Sequence, residues 1–416
     1  MDLRKKIIIV APFWGNKKNV GCIRIEKYIR WFQSRDIEVI IIKAGQQDSE
    51  EKQLWGYEIT IQDPTIKWGF NFTGDTLKAN SFRLFKSIIR KFLIIRNVPD
   101  AQTLWAKKIA SHPLISKYSS GISYVLSSSP PESVHLASLQ IADKTNAKLI
   151  IDLRDGWLDE PLSKVVEKIP FRKLRESKLE NKILQKAGAI FVTSEYWEKL
   201  LNDRLEFTRN KTFVLTNGYA LNQHEKAVAT GEKDEILLLH AGKFTGSDKN
   251  RRITILFDIL LKCLKDFPKR GRLILLGDLE KRELKVVPEY CEKYKRVNWN
   301  IEIITSLPRS EMLKLLIKAD GLLLLNTSNA RIPIKLFEYI PLRKPILGLT
   351  PRDGAVWRIG ENVPQLYLAD FNNSPDNSKL VFKYFQACES GQFESEVPEE
   401  FSDDYLAKTF FRALGI

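Results

Sequence analysis

The chain has 416 residues, of which 44% are hydrophobic and 10% aromatic, and its formal net charge is +15. This composition can bury sizeable cores, which excludes a disordered, collagen-like or low-complexity protein. Four cysteines without a Cys-x-x-Cys pair exclude a disulfide scaffold, so we expect reduced thiols and a cytoplasmic protein. No stretch approaches the ~18 apolar residues of a membrane span. The excess of positive charge predicts an anionic partner.

The first half of the chain alternates predicted strands and helices, which is typical of βαβ units around a parallel sheet. It opens with an apolar run, Lys6–Ala11, that lacks alternation, as expected for a strand covered on both faces. Apolar residues then recur with helical spacing from Cys22 to Phe32. Further strands are predicted at Ile37–Ile42, Tyr124–Leu126, Lys148–Ile151 and Ala189–Val192.

The same alternation starts again after residue 220. Strands are predicted at Glu235–Leu239, Arg272–Leu276, Ile301–Ile304, Gly321–Leu325 and, as the last one, Pro345–Leu349. Helices are predicted at Ile253–Leu264, Pro308–Lys318, Ile334–Ile340 and Asp403–Leu414. The polar segment 222–234 is the predicted linker. We therefore expect two domains, 1–220 and 221–400, and a C-terminal helix within 401–416 that packs back on the first domain.

The strongest cluster of candidate site residues follows the predicted strand Gly321–Leu325. A helix that starts at Pro333 and Ile334 directs free N–H groups at a ligand beyond the carboxyl edge of the sheet. Lys335 adds positive charge in its first turn, and Glu338, near one turn later, can accept the hydroxyls of a ribose. The alternative is an ordinary surface helix.

The loop after the strand Glu235–Leu239 is a second candidate for binding phosphate. It offers two glycines for close backbone approach, Gly242 and Gly246. The cations Lys243, Lys249, Arg251 and Arg252 can balance phosphate charge. The loop matches neither GxxxxGK[ST] nor GxGxxG, which argues against a P-loop kinase and a dinucleotide dehydrogenase.

The first half contributes residues at the ends of its own strands. Gly21 closes the loop after the first strand and can bring backbone N–H groups close to a phosphate. Asp152, Arg154 and Asp155 follow a buried strand, and an ion pair is the alternative reading of these charges. His135 falls inside a predicted helix and is a site candidate, with a structural role as its alternative.

These segments resemble, in order and spacing, motifs of the GT-B glycosyltransferases and of glycosyltransferase family 4 in particular. The matching stretches are Pro333–Ile340 with Arg343–Leu347, Ser127–Leu136 with Ile151–Trp157, Leu215–Tyr219, and His240–Phe244 with Arg251 and Arg252. The resemblance covers nearly the whole chain. It implies an α/β GT-B fold, in which two Rossmann-like, doubly wound domains face each other across a cleft, the first for the acceptor and the second for the nucleotide-sugar donor.

The resemblance also implies an activity: transfer of a hexosyl-type sugar to an acceptor hydroxyl, with retention, in surface polysaccharide or glycolipid synthesis. Lys335 and Arg251 or Arg252 would then neutralise the leaving diphosphate. Asp155 would face the acceptor, near His135. The remaining acceptor-side residues would be Ser128, Asp152 and Arg154. The chain contains no Asp-x-Asp, the usual metal-binding pair of GT-A enzymes, so we expect neither a metal nor another cofactor.

One position departs from the family pattern. Many family 4 enzymes carry two glutamates eight positions apart; Glu338 matches the second, but Ala330 stands at the first, which usually faces the donor sugar. A sugar-nucleotide epimerase of the same fold and a non-catalytic GT-B subunit therefore remain alternatives. Only the charge suggests a nucleic-acid binder, and no helix-turn-helix or aromatic-rich RNA motif supports it.

The segment Phe82–Arg96 is basic and amphipathic. Phe85, Ile88, Ile89 and Phe92 form one stripe and the cations lie elsewhere. Such a helix can lie on an anionic membrane or guide a lipid-linked acceptor. A core-packed helix with a solvated basic face is the alternative. We expect a cytoplasmic protein that can associate with the inner membrane face.

Overall fold

A computed structural model describes residues 5–16, 19, 21–66, 97–159, 171–219, 234–242, 253–305, 307–370, 377–391 and 397–416. The chain divides into two compact units: Met1–Leu215 with Ala407–Ile416, and Thr216–Leu406. The predicted amphipathic segment Phe82–Arg96 and nearly all of the predicted linker lie outside the described residues.

The first unit is built on an eight-stranded sheet. Its strands are β1 (Lys6–Val10), β2 (Glu38–Gly45), β3 (Ser49–Gln53), β4 (Gly56–Gln62), β5 (Ile122–Ser129), β6 (Lys148–Leu153), β7 (Ala189–Val192) and β8 (Thr212–Val214). Their spatial order is β3-β4-β2-β1-β5-β6-β7-β8, parallel except for the β3–β4 pair. Ile8 of β1 pairs with Ile40 on one side and Val125 on the other. The central strands are therefore buried on both faces, which explains their unbroken apolar runs.

Six helices of the first unit lie between these strands in the described residues. They are α1 (Gly21–Gln33), α2 (Thr103–Ile109), α3 (Pro113–Ser116), α4 (Ser133–Thr145), α5 (Arg172–Lys186) and α6 (Glu195–Arg204). The helix α1 presents Tyr28 and Phe32 to the core, at the four-residue spacing that the sequence predicts. The strand prediction Ala189–Val192 has the observed bounds, whereas β3, β4 and β8 were missed.

The second unit is built on a six-stranded, fully parallel sheet. Its strands are β9 (Glu235–Ala241), β10 (Arg270–Leu276), β11 (Trp299–Ile304), β12 (Gly321–Leu325), β13 (Ile346–Thr350) and β14 (Leu366–Asp370). Their order is β11-β10-β9-β12-β13-β14. Pro345–Leu349 was predicted to be the last strand, and this is wrong because Leu366–Asp370 continues the sheet beyond it.

The remaining helices follow in chain order. They are α7 (Ile253–Leu264), α8 (Lys281–Lys295), α9 (Arg309–Lys318), α10 (Ile334–Tyr339), α11 (Ala355–Gly360), α12 (Asn377–Ser390) and α13 (Asp403–Leu414). Burial of α7 against the sheet places Phe257 beside Tyr290 and Tyr294, with ring centroids 4.8 and 5.8 Å away. No helix among the described residues is both long and apolar enough to cross a bilayer.

The end of α13 belongs to the first unit, although it follows the whole second unit in sequence. Phe410 is fully buried there, and its ring lies 4.8 Å from that of Phe191 and 5.2 Å from that of Tyr28. Phe32 packs edge-on against it at 5.6 Å. These aromatic contacts join the last helix to both the sheet and α1 of the first unit.

Candidate active site

Each sheet reverses its strand order between two neighbouring strands, β1 and β5 in the first unit and β9 and β12 in the second. The loops that leave such a pair turn toward opposite faces of the sheet. Ligands of open parallel sheets therefore bind at this point, beyond the carboxyl ends of the strands. Among the predicted site residues that the structure describes, Ser128 and Asp152 lie within β5 and β6, at their carboxyl ends, so Asp152 does not follow its strand as predicted. The others lie in the segments after β1, β5, β6, β9 and β12.

A histidine and a lysine meet at the reversal point of the second unit. His240, in β9, is fully buried; its Nδ1 lies 3.0 Å from the Leu323 carbonyl oxygen and its Nε2 lies 3.2 Å from Lys335 Nζ. A carbonyl only accepts and an ammonium only donates. The hydrogen therefore sits on Nδ1, and Nε2 accepts from the lysine. A neutral His240 thus holds the Lys335 ammonium in place.

The ammonium lies against Gly242, the first residue after β9. Gly242 has a φ of +98°, and a Cβ at this position would lie 3.3 Å from Lys335 Nζ. Gly277, at the end of β10, has a φ of +138°, and a Cβ there would lie 2.9 Å from the Gly242 carbonyl carbon. Both positions favour glycine. As a result, backbone without side chains, at Gly242 and Gly277, lies at the edge of the sheet beside the Lys335 ammonium.

The short helix α10 is fixed to β9 by a hydrogen bond. The buried Tyr339 hydroxyl accepts the Ala241 N–H at 3.0 Å. Burial raises the pKa of Tyr339 above its usual range, so the hydroxyl stays neutral. Pro333 precedes the helix and Ile334 is its first residue. This anchor sets the position of Lys335, one turn before Tyr339.

Glu338 lies on the same helix as Lys335. Its Oε1 accepts from Arg309 Nη2 at 2.9 Å, and its side chain is 22% exposed. The carboxylate is thus held by a cation of α9 and remains open to solvent. A ligand hydroxyl can therefore reach it without unfolding of the helix.

The loop between β12 and α10 is folded around Asn326. The Asn326 side-chain amide is fully buried and donates to the carbonyl oxygens of Ser328 at 2.9 Å and Arg331 at 3.2 Å. The Ser328 hydroxyl accepts from the backbone N–H groups of Ala330 and Arg331. Ala330 is only 4% exposed. Position 330, where many family 4 enzymes carry the first glutamate, is therefore buried in this chain. It lies in a loop that is held by several internal hydrogen bonds.

Four predicted donor-site cations, Lys243, Lys249, Arg251 and Arg252, lie outside the described residues. Their assignment stays a prediction.

An open pocket lies at the reversal point of the first unit, and its roughly 280 Å³ of empty space includes the adjoining solvent. It is lined by loops after β1, β5 and β6 and by the start of α1. Its walls include Phe13, Trp14, Gly21, Ser128, Pro130 and Arg154. Three of the predicted residues, Gly21, Ser128 and Arg154, are thus brought together. Its walls combine aromatic rings, a hydroxyl and one guanidinium, so they offer both apolar and polar contacts.

The Arg154 guanidinium is held by backbone carbonyls. Its Nε lies 2.8 Å from the Ser129 oxygen and its Nη2 lies 2.9 Å from the Pro130 oxygen. A Cβ on Gly21 would lie 2.1 Å from Nη1, so the absence of a side chain at Gly21 makes room for the arginine. Burial lowers the pKa of Arg154 from its usual value.

Asp152 forms a buried ion pair with Arg24. Its two oxygens accept from Arg24 Nε at 2.7 Å and Arg24 Nη2 at 2.8 Å, and the Ser128 hydroxyl donates at 2.7 Å. Arg24 also donates to the Leu215 carbonyl at 2.9 Å. Burial favours the neutral acid, but Arg24 and Ser128 outweigh it and the pKa of Asp152 is lowered. The structure therefore places Asp152 behind Ser128, which lines the pocket.

His135 is packed in the interior of the first unit. Its Nδ1 lies 2.8 Å from the Ser127 hydroxyl, and its ring lies 5.6 Å from that of Trp157. Burial lowers the pKa of His135 to about 3, so the ring is neutral at physiological pH. The histidine is fully buried and is not among the residues that line the pocket.

Asp155 is half-buried, and its charge acts on Glu132, an acidic group that the sequence did not reveal. Burial and then the charge of Asp100 raise the pKa of Glu132 to about 8, with smaller contributions from Glu176 and Asp155. Asp100 in turn accepts the Ser133 N–H at 2.8 Å. At neutral pH Glu132 is therefore mostly protonated.

Sequence reasoning missed several residues that hold the sites together: Arg24, Glu132, Gly277, Arg309 and Asn326. Only Arg24 could have been noticed in the sequence. It is a charged residue one turn before Tyr28, on the buried face of α1. The others gained their roles from contacts with residues distant in sequence, which no local pattern records.

The chain aligns over its full length with solved glycosyltransferases. A glycosyltransferase from Rickettsia africae ESF-5 has a TM-score of 0.55 at 14% identity, with 99% of each chain covered. Anabaena HepE in complex with UDP has a TM-score of 0.58 at 13% identity, again with 99% of each covered. The catalytic domain of starch synthase IV from Arabidopsis thaliana, bound to ADP and acarbose, has a TM-score of 0.61 at 8% identity, covering 99% of this chain and 100% of that one.

No family model and no curated protein matches the chain. Membership of glycosyltransferase family 4 therefore stays a prediction. The likeness to solved structures concerns the fold, and it confirms the predicted fold class: this chain has the GT-B fold of two α/β domains with parallel sheets.

Proposed function

We propose that this protein is a glycosyltransferase that moves a hexosyl-type sugar from a nucleotide-sugar donor to an acceptor hydroxyl. The observation that carries the proposal is the Lys335 ammonium, held by His240 beside the bare backbone of Gly242 at the β9–β12 reversal point. We assign the donor to the second unit and the acceptor to the first. The proposed setting is surface polysaccharide or glycolipid synthesis, in the cytoplasm or on the inner membrane face.

The proposed donor chemistry is electrostatic. A departing nucleoside diphosphate gains negative charge at the moment the glycosidic bond breaks, and a preorganised cation stabilises that charge without having to move. Lys335 is oriented before the donor arrives, since His240 and the Tyr339 anchor fix it. Glu338 accepts the ribose hydroxyls, and Arg251 or Arg252 supplies further charge. We propose that the reaction retains configuration and needs neither metal nor cofactor.

On the acceptor side, we assign the pocket beside Arg154 to a saccharide, whether soluble or lipid-linked. Phe13 and Trp14 provide apolar surface for a sugar ring, and Arg154 and Ser128 provide polar contacts. Asp155 is the proposed acceptor-facing carboxylate. Asp152 and His135 support this pocket from beneath, because both are buried and hydrogen-bonded to the serines of β5.

A binding experiment tests the donor site. Thermal shift with UDP-, GDP-, ADP- and dTDP-sugars identifies the donor, because a ligand at about 100 times its dissociation constant stabilises the folded state by about 2.7 kcal/mol. Lys335→Met should weaken that donor at least tenfold by calorimetry. Lys314→Met is the matched control, since Lys314 is an exposed helical lysine that pairs with Glu311. Equal affinity in both variants would reject the assignment.

The buried Ala330 favours one second candidate, a GT-B subunit that binds sugars or an enzyme without catalysing transfer. Turnover assays with radiolabelled donor separate the candidates. Donor binding without hydrolysis or transfer supports the non-catalytic subunit. Release of UDP without an acceptor supports the epimerase, and transfer to an added saccharide or lipid extract supports the proposed enzyme.

A further inference from the structure

Part of the first-unit pocket is lined by the segment that follows β1, and backbone hydrogen bonds fix this segment to β2. The Ala11 N–H donates to the Ile42 carbonyl oxygen at 2.9 Å, and the Ala44 N–H donates to the Pro12 carbonyl oxygen at 3.2 Å. The Trp14 N–H then closes a turn on the Ala11 carbonyl oxygen at 3.0 Å. The backbone of the pocket wall is therefore set by the sheet, whereas the orientation of the Trp14 side chain depends on further contacts.

The Trp14 indole is held by a carboxylate from another strand of the sheet. Its Nε1 donates to Glu58 Oε2, on β4, at 2.8 Å. The other carboxylate oxygen of Glu58 accepts from Lys43 Nζ, on β2. The Trp55 ring stands nearly perpendicular to the indole, at 88° and 6.3 Å between ring centroids. A charge-assisted hydrogen bond and an edge-to-face contact together fix the plane of the indole.

The stability of β4 does not explain the Glu58 carboxylate. Its side chain is only 12% exposed, and a charge at such a position is unfavourable unless partners compensate it. Glu51 of β3 lies directly opposite in the antiparallel register, where like charges destabilise the strand pair. Lys43 compensates the Glu58 charge. An apolar or hydroxyl side chain at position 58 would cost less, so the benefit of the acid lies in its hydrogen bond to the indole.

The pocket combines this fixed indole with polar groups, Ser128 and Arg154. The face of an aromatic ring is negative and attracts C–H groups, whereas a hydroxyl and a guanidinium form hydrogen bonds. A pyranoside offers both kinds of surface, because its ring faces carry C–H groups and its rim carries hydroxyls. Sugar epimers differ in the face to which an axial hydroxyl points. A ring plane that cannot rotate therefore discriminates between epimers.

We propose that Glu58 is a positioning residue that sets the specificity of the acceptor site. It holds the Trp14 indole in the orientation in which a pyranoside stacks a face of C–H groups on the ring. The inference rests on the proposed acceptor role of the first unit and names the acceptor class, a pyranoside. Glu58 itself acts through Trp14 and does not need to touch the sugar.

Ligand-observed saturation-transfer NMR tests the binding, with the full chain and without any donor. The probes are the methyl glycosides of glucose, galactose, mannose and N-acetylglucosamine. At least one glycoside should bind, with most of the saturation on the C–H groups of one ring face, and Trp14→Ala should abolish the signal. Wild-type protein that binds none of these glycosides overturns the proposal together with the acceptor assignment. Binding in which Trp14→Ala has no effect overturns the proposal alone.

Substitutions at position 58 test the positioning role. Glu58→Ala should weaken the preferred glycoside by about five- to tenfold, since the indole loses one charge-assisted hydrogen bond. It should also reduce the discrimination between the 4-epimers glucose and galactose. Glu58→Gln should retain most of the affinity, because the amide oxygen still accepts the indole N–H. Glu51→Ala is the matched control, since Glu51 is an exposed acid on the neighbouring strand, and it should bind like wild type.

A double-mutant cycle separates positioning from general support of the fold. Trp14→Phe keeps an aromatic face but has no N–H for Glu58 to accept. In that background, Glu58→Ala should therefore change glycoside affinity no further. Equal weakening by Glu58→Ala in both backgrounds overturns the proposal and assigns Glu58 a structural role. Unchanged affinity and unchanged epimer discrimination in Glu58→Ala also overturn it, and they leave both the acceptor assignment and the test of donor binding intact.

Discussion

Replacement of Asp152 by asparagine should destabilise the first unit far more than an ordinary surface substitution. The carboxylate is fully buried and receives two hydrogen bonds from Arg24, at 2.7 and 2.8 Å, and one from Ser128. The asparagine side chain is neutral, so the buried Arg24 charge would lose its carboxylate partner. Removal of one partner of such a pair typically costs about 3–5 kcal/mol.

Hydrogen exchange read by mass spectrometry measures this cost in each unit separately. A loss of about 3–5 kcal/mol should speed exchange in the core strands β1, β5 and β6 by about two to four orders of magnitude. Peptides from β9 to β14 are the internal control, since they belong to the other unit. The double variant Arg24→Met with Asp152→Leu should lose much less than the sum of the single variants.

The same variants decide between structural and acceptor-side roles for Asp152. Asp152→Asn that leaves exchange in the first unit unchanged but abolishes transfer would refute the reasoning, because the carboxylate would then act on the acceptor rather than on Arg24. Additive destabilisation, in which the double variant loses as much as the sum of the single variants, would also refute it. A restored fold with restored activity in the double variant would assign Asp152 a supporting role alone.

Four further outcomes are expected. Turnover should survive excess EDTA; loss of activity that manganese restores would contradict the proposed diphosphate site. Glu338→Ala should weaken nucleotide binding by about 1.5–3 kcal/mol in calorimetry, the scale of a hydrogen bond to a charged group. Gly242→Ala should destabilise the second unit by about 1–3 kcal/mol, because alanine disfavours a φ of +98°. Burial and the charge of Asp100 raise the pKa of Glu132 to about 8, against about 4.5 in the unfolded chain, so stability falls as pH rises between these values. Glu132→Gln should reduce this fall, and Asp100, whose pKa burial also raises, should keep part of it; parallel pH profiles of melting temperature would contradict the prediction.

The sequence predicted those strands that are buried on both faces. Gly321–Leu325 is a run of glycine and leucine without alternation, and its observed bounds agree with the prediction. The edge strands Ser49–Gln53 and Leu366–Asp370 were missed, because a strand with a solvated side carries polar residues and resembles a loop. Such segments form strands because they pair with the neighbouring strand of the sheet, which their own sequence does not show.

The sequence also located part of the candidate sites. Lys335, Gly242 and Arg154 were singled out because cations and glycines followed predicted strands. The orientation of Lys335 by His240 could not be predicted, because 95 positions separate the two residues. The same holds for Arg24 and Asp152, which are 128 positions apart. Pairs of this kind depend on strand order, which local periodicity does not determine.

The return of Phe410 to the first unit has a consequence for biosynthesis. On the ribosome, residues 216–406 emerge before the segment that completes the aromatic cluster around Phe32 and Phe191. The second unit can therefore finish folding while the first still exposes apolar surface that Phe410 later covers. A nascent chain stalled before Phe410 leaves the ribosome should be more protease-sensitive in residues 1–215 than in residues 216–406.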